Sequence, residues 1–207
     1  MNRREPASRT SSAAESERWG GVRLYTIGHS TRTLDEMVGL LRGSEVSILA
    51  DIRTVPRSRH NPQFDREALR SALSRRHIRY VHLPDLGGLR RTRQDSPNTG
   101  WRNASFRGYA DYMLTNDFER GLAELDALTA EGTVAVMCAE AVPWRCHRSL
   151  VADALTVRGA HVEHIIGPPS VASSPSDAVR ARRGHPHHLP GRSRLADGCR
   201  SVELQMR

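Results

Sequence analysis

The chain contains no lysine: all 31 of its basic residues are arginine. The net charge of +8 therefore reflects coding bias toward Arg as well as any surface for phosphate. Its placement dilutes the signal further. Residues 167–207 carry seven Arg against three acids and residues 1–20 four against three, which leaves 20 Arg and 17 acids between them. A basic tail of that kind is read first as a solvated one and second as a nucleic-acid contact. Cysteine is scarce as well. Three residues, an odd number, exclude a disulfide framework and place the protein in a reducing compartment, the cytoplasm. No run of about 18 apolar residues exists to span a membrane, and the polar N-terminus lacks the apolar core of a secretory signal. No motif names a cofactor, and nothing fixes the oligomeric state.

What is present is an alternating pattern. Residues 22–27 form a short apolar run, a strand. Thr33-Leu34-Asp35-Glu36 fits a capping box, opening a helix to about Leu41 with Leu34, Met37, Val38 and Leu41 on one face. Residues 47–52 are a second strand, 65–77 a helix, 79–83 a third strand. A short helix at 109–114 and a longer one at 117–130 precede a strongly apolar fourth strand at 133–138. A helix at 146–158, closed by Gly159, leads to a fifth strand at 161–166. Strands without polar alternation, separated by helices, predict an α/β fold: a Rossmann-like open sheet of about five mostly parallel strands, with helices on both faces. One domain over 21–166 lies between tails at 1–20 and 167–207, whose polar, Pro/Ser/Arg-rich composition reads as disordered. His185, His187 and His188 in the second tail lack the spacing of a metal site.

Ligands of open parallel sheets bind at the carboxyl ends of the strands. Here those ends hold Gly28-His29-Ser30, then Asp51-Ile52-Arg53, then Pro84-Asp85-Leu86-Gly87-Gly88, then Met137-Cys138-Ala139-Glu140 and Pro143-Trp144-Arg145-Cys146-His147-Arg148. Ordinary turns carry Gly, Asn, Ser and Pro; this edge collects His, Cys, acids and Arg.

These segments, with Tyr25-Thr26-Ile27 before the first and Phe106-Arg107-Gly108-Tyr109-Ala110-Asp111-Tyr112-Met113 further on, resemble in order and content a bacterial and archaeal family, domain of unknown function 488. The resemblance covers roughly residues 24–166. It implies the fold and the location of the site, and no reaction.

Several chemistries fit the residues. Glu140, two positions past a buried strand, is a candidate general acid or nucleophile if desolvated, or a cap of the following turn. Asp51 and Arg53 read as an internal ion pair, with orientation of His29 as the functional alternative. His29 itself suits acid–base work or a structural hydrogen bond. Cys146 at a helix start between Arg145 and Arg148 should have a lowered thiol pKa. With Cys138 it forms a redox pair, part of an incomplete zinc site, or two packed residues. The same helix start is a natural anion site, although the spacing from Cys138 to Arg145 is one residue too long for a phosphatase loop. The connection 89–107 holds five Arg with Trp101 and Phe106, a pattern that suits stacking on a base as well as plain solvation.

The leading expectation is an enzyme, hydrolase or transferase, acting on a phosphate-bearing nucleotide or nucleic-acid-derived substrate. Glu140, His29 and Asp51 would do the chemistry. Ser30, Arg53, Arg107, Tyr109, Cys138, Cys146, His147 and Arg148 would bind, with no metal assigned. The alternatives are a non-enzymatic nucleic-acid or nucleotide module and a Cys-based redox or metal site.

Overall fold

The computed structural model describes residues 18–167. Strands β1 (Arg23–Gly28), β2 (Ile48–Asp51), β3 (Arg79–His82), β4 (Val134–Cys138) and β5 (His161–Ile165) form one sheet in the order β3-β2-β4-β1-β5. Every neighbouring pair is parallel, so the expected open sheet has no antiparallel edge. Five helices connect the strands: α1 (Leu34–Gly43), α2 (Arg66–Ser74), α3 (Ala104–Tyr112), α4 (Asn116–Thr129) and α5 (Arg148–Val157).

The pleat sorts side chains between two cores, because successive strand residues point to opposite faces. Leu24, Ile48, Ala50, Val134, Val136 and Cys138 pack with α3, α4 and α5. Ile27, Leu49, Ala135 and Met137 face α1 and α2. The crossovers to β2 and β3 thus run along one face and those to β4 and β5 along the other, in opposite directions across the sheet, as right-handed connections require. Neighbouring strands β2 and β4 send their chains to opposite faces, and that divergence opens a crevice above their carboxyl ends.

Local signals account for most boundaries. Thr33 and Glu36 form the reciprocal capping box expected of α1. The third helix starts five residues before its expected position, because the Asn103 side chain accepts from the backbone N–H groups of Ser105 and Phe106 and caps it there. Trp19, assigned to the N-terminal tail by composition, is buried at 3% exposure in the α3–α5 core. A large indole outweighs the polar residues around it. The remaining expectations for the tails fall on 1–17 and 168–207, outside the described residues. Among the described residues no helix is long and apolar enough to cross a membrane.

One buried group opposes the fold. Asp153 on α5 has a carboxylate oxygen without a hydrogen-bond partner, and burial pushes its pKa up to about 6. The native state therefore holds a proton that the unfolded chain releases at lower pH, so stability from this group falls as pH rises from about 4 to above 6. Asp153→Asn should match the parent near pH 4 and exceed it at pH 7.5 by about 2–3 kcal/mol. Urea unfolding across that pH range measures the difference.

Candidate functional site

Asp51 ends β2 fully buried, an unfavourable place for a carboxylate unless every lone pair is satisfied. Its Oδ1 accepts from the Arg53 backbone N–H at 3.0 Å and from Arg53 Nε at 2.9 Å, and its Oδ2 from Arg53 Nη2 at 2.6 Å and the Tyr80 hydroxyl at 2.7 Å. Burial works against the Arg53 charge, and the contacts to Asp51 and Tyr80 outweigh it. Arg53 Nη2 also donates to the Phe64 carbonyl, and the Arg53 carbonyl meets His82 Nε2 at 2.8 Å. The internal ion pair is present, and it commits both residues to holding loops.

His29 belongs to the same network. Its Nδ1 lies 2.9 Å from the Ser30 carbonyl and its Nε2 3.3 Å from Arg53 Nη1. A carbonyl demands a donor and a guanidinium an acceptor, which fixes the neutral tautomer with the proton on Nδ1. Burial and the neighbouring Arg53 and Arg32 lower its pKa, against an upward pull from the Ser30 carbonyl and Asp51. Its ring stacks on Phe64 with centroids 4.4 Å apart. Ser30 adopts a left-handed φ of 47° to make the turn, and its N–H continues the sheet ladder to the Ala139 carbonyl. His29, Ser30 and Asp51 are absent from the walls of the cleft described next. The geometry gives His29 and Asp51 a place beneath the cleft, as part of the network that supports it.

The cleft has a volume of about 320 Å³ and lies at the β2–β4 divergence. Arg53, Thr54, Val55 and Arg57 form one wall, Gly88 and Leu89 the next, and Ser105, Phe106 and Tyr109 of α3 the third. The segments Cys138–Glu140 and Arg145–His147 complete it. Tyr109 is fully buried and its hydroxyl donates to the Leu86 carbonyl, so it offers a ring rather than a polar group.

The two cysteines meet at this wall as free thiols with sulfurs 2.9 Å apart. Cys146 Sγ lies 3.5 Å from the Arg148 backbone N–H and 3.4 Å from His147 Nδ1. His147 is the N-cap residue of α5 yet makes no side-chain cap, so the Cys146 sulfur takes that place. His147 Nε2 lies 3.1 Å from the Ile52 carbonyl, which requires N–H there and leaves Nδ1 facing the sulfur. The contact with Cys138 lowers the Cys146 pKa most, with help from His147 and the Arg148 N–H against burial. The same contact, with burial, raises that of Cys138. Cys146 is therefore the more acidic thiol of the pair.

Two glycines permit the arrangement. A Cβ on Gly88 would come 2.2 Å from His147 Nδ1, and one on Gly28 would come 1.7 Å from the Glu140 carbonyl oxygen. The first lets the imidazole lie against backbone; the second lets the loop after β4 close over β1.

The remaining expected residues sort by position. Glu140 reaches the cleft with its side chain exposed. It contributes its carbonyl, near Cys138 Sγ and Arg148 Nη2. Arg148 is 1% exposed under this loop, outside the cleft walls. Its Nε and Nη1 have no hydrogen-bond partner, and the charges nearest in effect include both thiols. Arg107 donates twice to the Trp101 carbonyl and holds the long connection in place. Trp101 is buried against Phe106, and Arg90 lies over the Tyr112 ring at 3.5 Å from its centroid. Of the aromatics expected to stack in 89–107, Trp101 is thus packed inward, while Phe106 lines the cleft. Arg53, expected to bind, lines the cleft together with Arg57 and Arg145; of these only Arg57 had no part in the anion argument. Among the described residues no group of three or more His, Cys, Asp or Glu side chains is placed to hold a metal.

The family model described as domain of unknown function DUF488 matches residues 33–155. The chain belongs to that family. The match spans α1 to α5 and takes in both cysteines, His147 and the Asp51–Arg53 pair. No curated protein and no solved structure matches the chain.

Removing one partner of a buried ion pair strands the other charge. Asp51→Asn is expected to lower the unfolding free energy by about 3–5 kcal/mol, measured by chemical denaturation. An Asn as stable as the parent would show that the pair holds nothing together.

Proposed function

We propose that this protein is a thiol-dependent enzyme, with Cys146 as nucleophile toward an anion-bearing ligand in the β2–β4 cleft. One observation carries the reading: a buried sulfur at a helix N-terminus, opening on a cavity, that lies 2.9 Å from a second thiol and accepts from the Arg148 backbone N–H. Such surroundings favour thiolate, the reactive form.

The chemistry follows from the contacts. His147 Nδ1 takes the proton of the Cys146 thiol, and the sulfur attacks an electrophilic centre of the ligand. The bond to the leaving group breaks, its electron pair goes with the leaving group, and the proton returns there from His147. The acceptor, water or a second substrate, then displaces the sulfur, giving hydrolysis or transfer. Val55, Leu89, Phe106 and Tyr109 suit an apolar or planar body. Arg57 and Arg145 suit its negative group, the place the sequence reading gave to a phosphate.

Two probes of opposite design test this. Iodoacetamide is neutral and reports thiolate character. Cys146 should keep most of its pH 8 alkylation rate at pH 6, where an ordinary thiol loses about a hundredfold. Gly88→Ala, which pushes into His147, should reduce the pH 6 rate. Iodoacetate adds a charge, so Arg57→Ala and Arg145→Ala should each slow it about tenfold relative to iodoacetamide. An ordinary pH profile for Cys146 removes the nucleophile; an unchanged rate ratio removes the anion grip.

A further inference from the structure

Cys138 does more than touch its neighbour. It is buried at 1% exposure while Cys146, at 7%, shares the cleft wall with it, so a reagent in the cleft meets the thiolate with a second thiol already in contact behind it. Cys138 ends β4 and Cys146 precedes α5, and the seven residues between them include a tight turn at Pro143–Arg145. The chain therefore needs only a small local shift to bring the sulfurs to bonding distance. Beneath the same loop lies the Arg148 guanidinium, buried with two nitrogens unpartnered and, among the described residues, no salt bridge to a carboxylate. A buried cation without an acid is costly, and an anion formed at the thiols is the charge that would offset it.

We infer that Cys146 and Cys138 form a peroxidatic and resolving pair that reduces hydroperoxides, a second activity resting on the assignment of Cys146 as thiolate. The Cys146 thiolate attacks the terminal oxygen of a hydroperoxide ROOH. The O–O bond breaks, its electron pair leaves as alkoxide, and a proton from His147 or water converts that to ROH. Cys146 is now a sulfenic acid. The sulfur of Cys138 attacks Cys146 Sγ, the S–O bond breaks, and the departing hydroxide takes the Cys138 proton as water. In sum two thiols and ROOH give one disulfide, ROH and water: sulfur is oxidised and peroxide oxygen reduced. A small dithiol such as dithiothreitol, itself oxidised to its disulfide, returns both thiols.

The full chain carries its own marker for the product. Trypsin cuts after Arg120, Arg145 and Arg148, so the two cysteines fall in separate peptides, 121–145 and 146–148. A disulfide joins them whatever happens at Cys199. Cumene hydroperoxide at one equivalent should yield this linked pair, with one cumyl alcohol released per link and reversal by dithiothreitol. Cys138→Ser should stop at a sulfenic acid on Cys146 that dimedone traps, and Cys146→Ser should leave Cys138 reduced with at least a tenfold loss of peroxide consumption. Iodoacetamide labelling at pH 6 separates the two assignments. Rapid labelling of Cys146 without any linked peptide, or with sulfinic acid as the first product, overturns the resolving role while the nucleophile stands. Slow labelling with no peroxide consumption overturns both.

Discussion

The buried pair of Asp51 and Arg53 organises this protein. One carboxylate at the end of β2 fixes a guanidinium that reaches the β1 loop through His29 and the turn at Pro62–Phe64 through the Phe64 carbonyl, while the carboxylate itself and the Arg53 backbone carbonyl hold β3 through Tyr80 and His82. Four segments that diverge after leaving the sheet are thereby held at set distances. The cleft depends on that spacing, because one of its walls is the stretch immediately after Arg53. Ion pairs in a dry interior contribute little net stability compared with apolar packing of the same volume. What this one supplies is position, and that explains charge at the foot of a cavity whose walls are largely apolar.

Above that base the reactive part is small. Cys138 comes from the end of a central strand, Cys146 from the start of a helix, and His147 is held by the Ile52 carbonyl at the end of another strand. Each is rigid for a different reason: strand register, helix initiation, and contact with Gly88 and the Tyr109 ring. Preorganisation of this sort is what a nucleophile requires, since the sulfur and its proton acceptor do not have to find one another.

Much of the fold was legible because its signals are local. Apolar runs of strand length, the Thr33–Glu36 box and Gly159 mark elements that need no distant information. The Asp51–Arg53 pairing was legible too, being two residues apart at a strand end. Trp19 and Asn103 were not: one is a lone apolar residue in a polar stretch, the other a cap hidden in a segment that reads as loop. At the site, the sequence placed both cysteines, His147 and Glu140 at one edge but could not rank them. Glu140 looked desolvated because the strand before it is; the chain turns outward within two residues. His29 looked available because nothing local shows Phe64 lying 4.4 Å over its ring. Arg107 looked available because nothing local shows it donating to the Trp101 carbonyl, and Arg57 stands in an irregular turn with no motif to mark it as part of the cleft lining.

The sulfur of Cys146 stands where a helix ordinarily places the oxygen of Ser, Thr or Asp. A thiolate accepts the first free N–H of α5; an alkylated or oxidised sulfur accepts it poorly. The chemical state of one atom is therefore transmitted to the first turn of a helix packed on the central strands. A modified sulfur accepts that N–H less well, so amide protection at Arg148 is a local reporter of the state of Cys146.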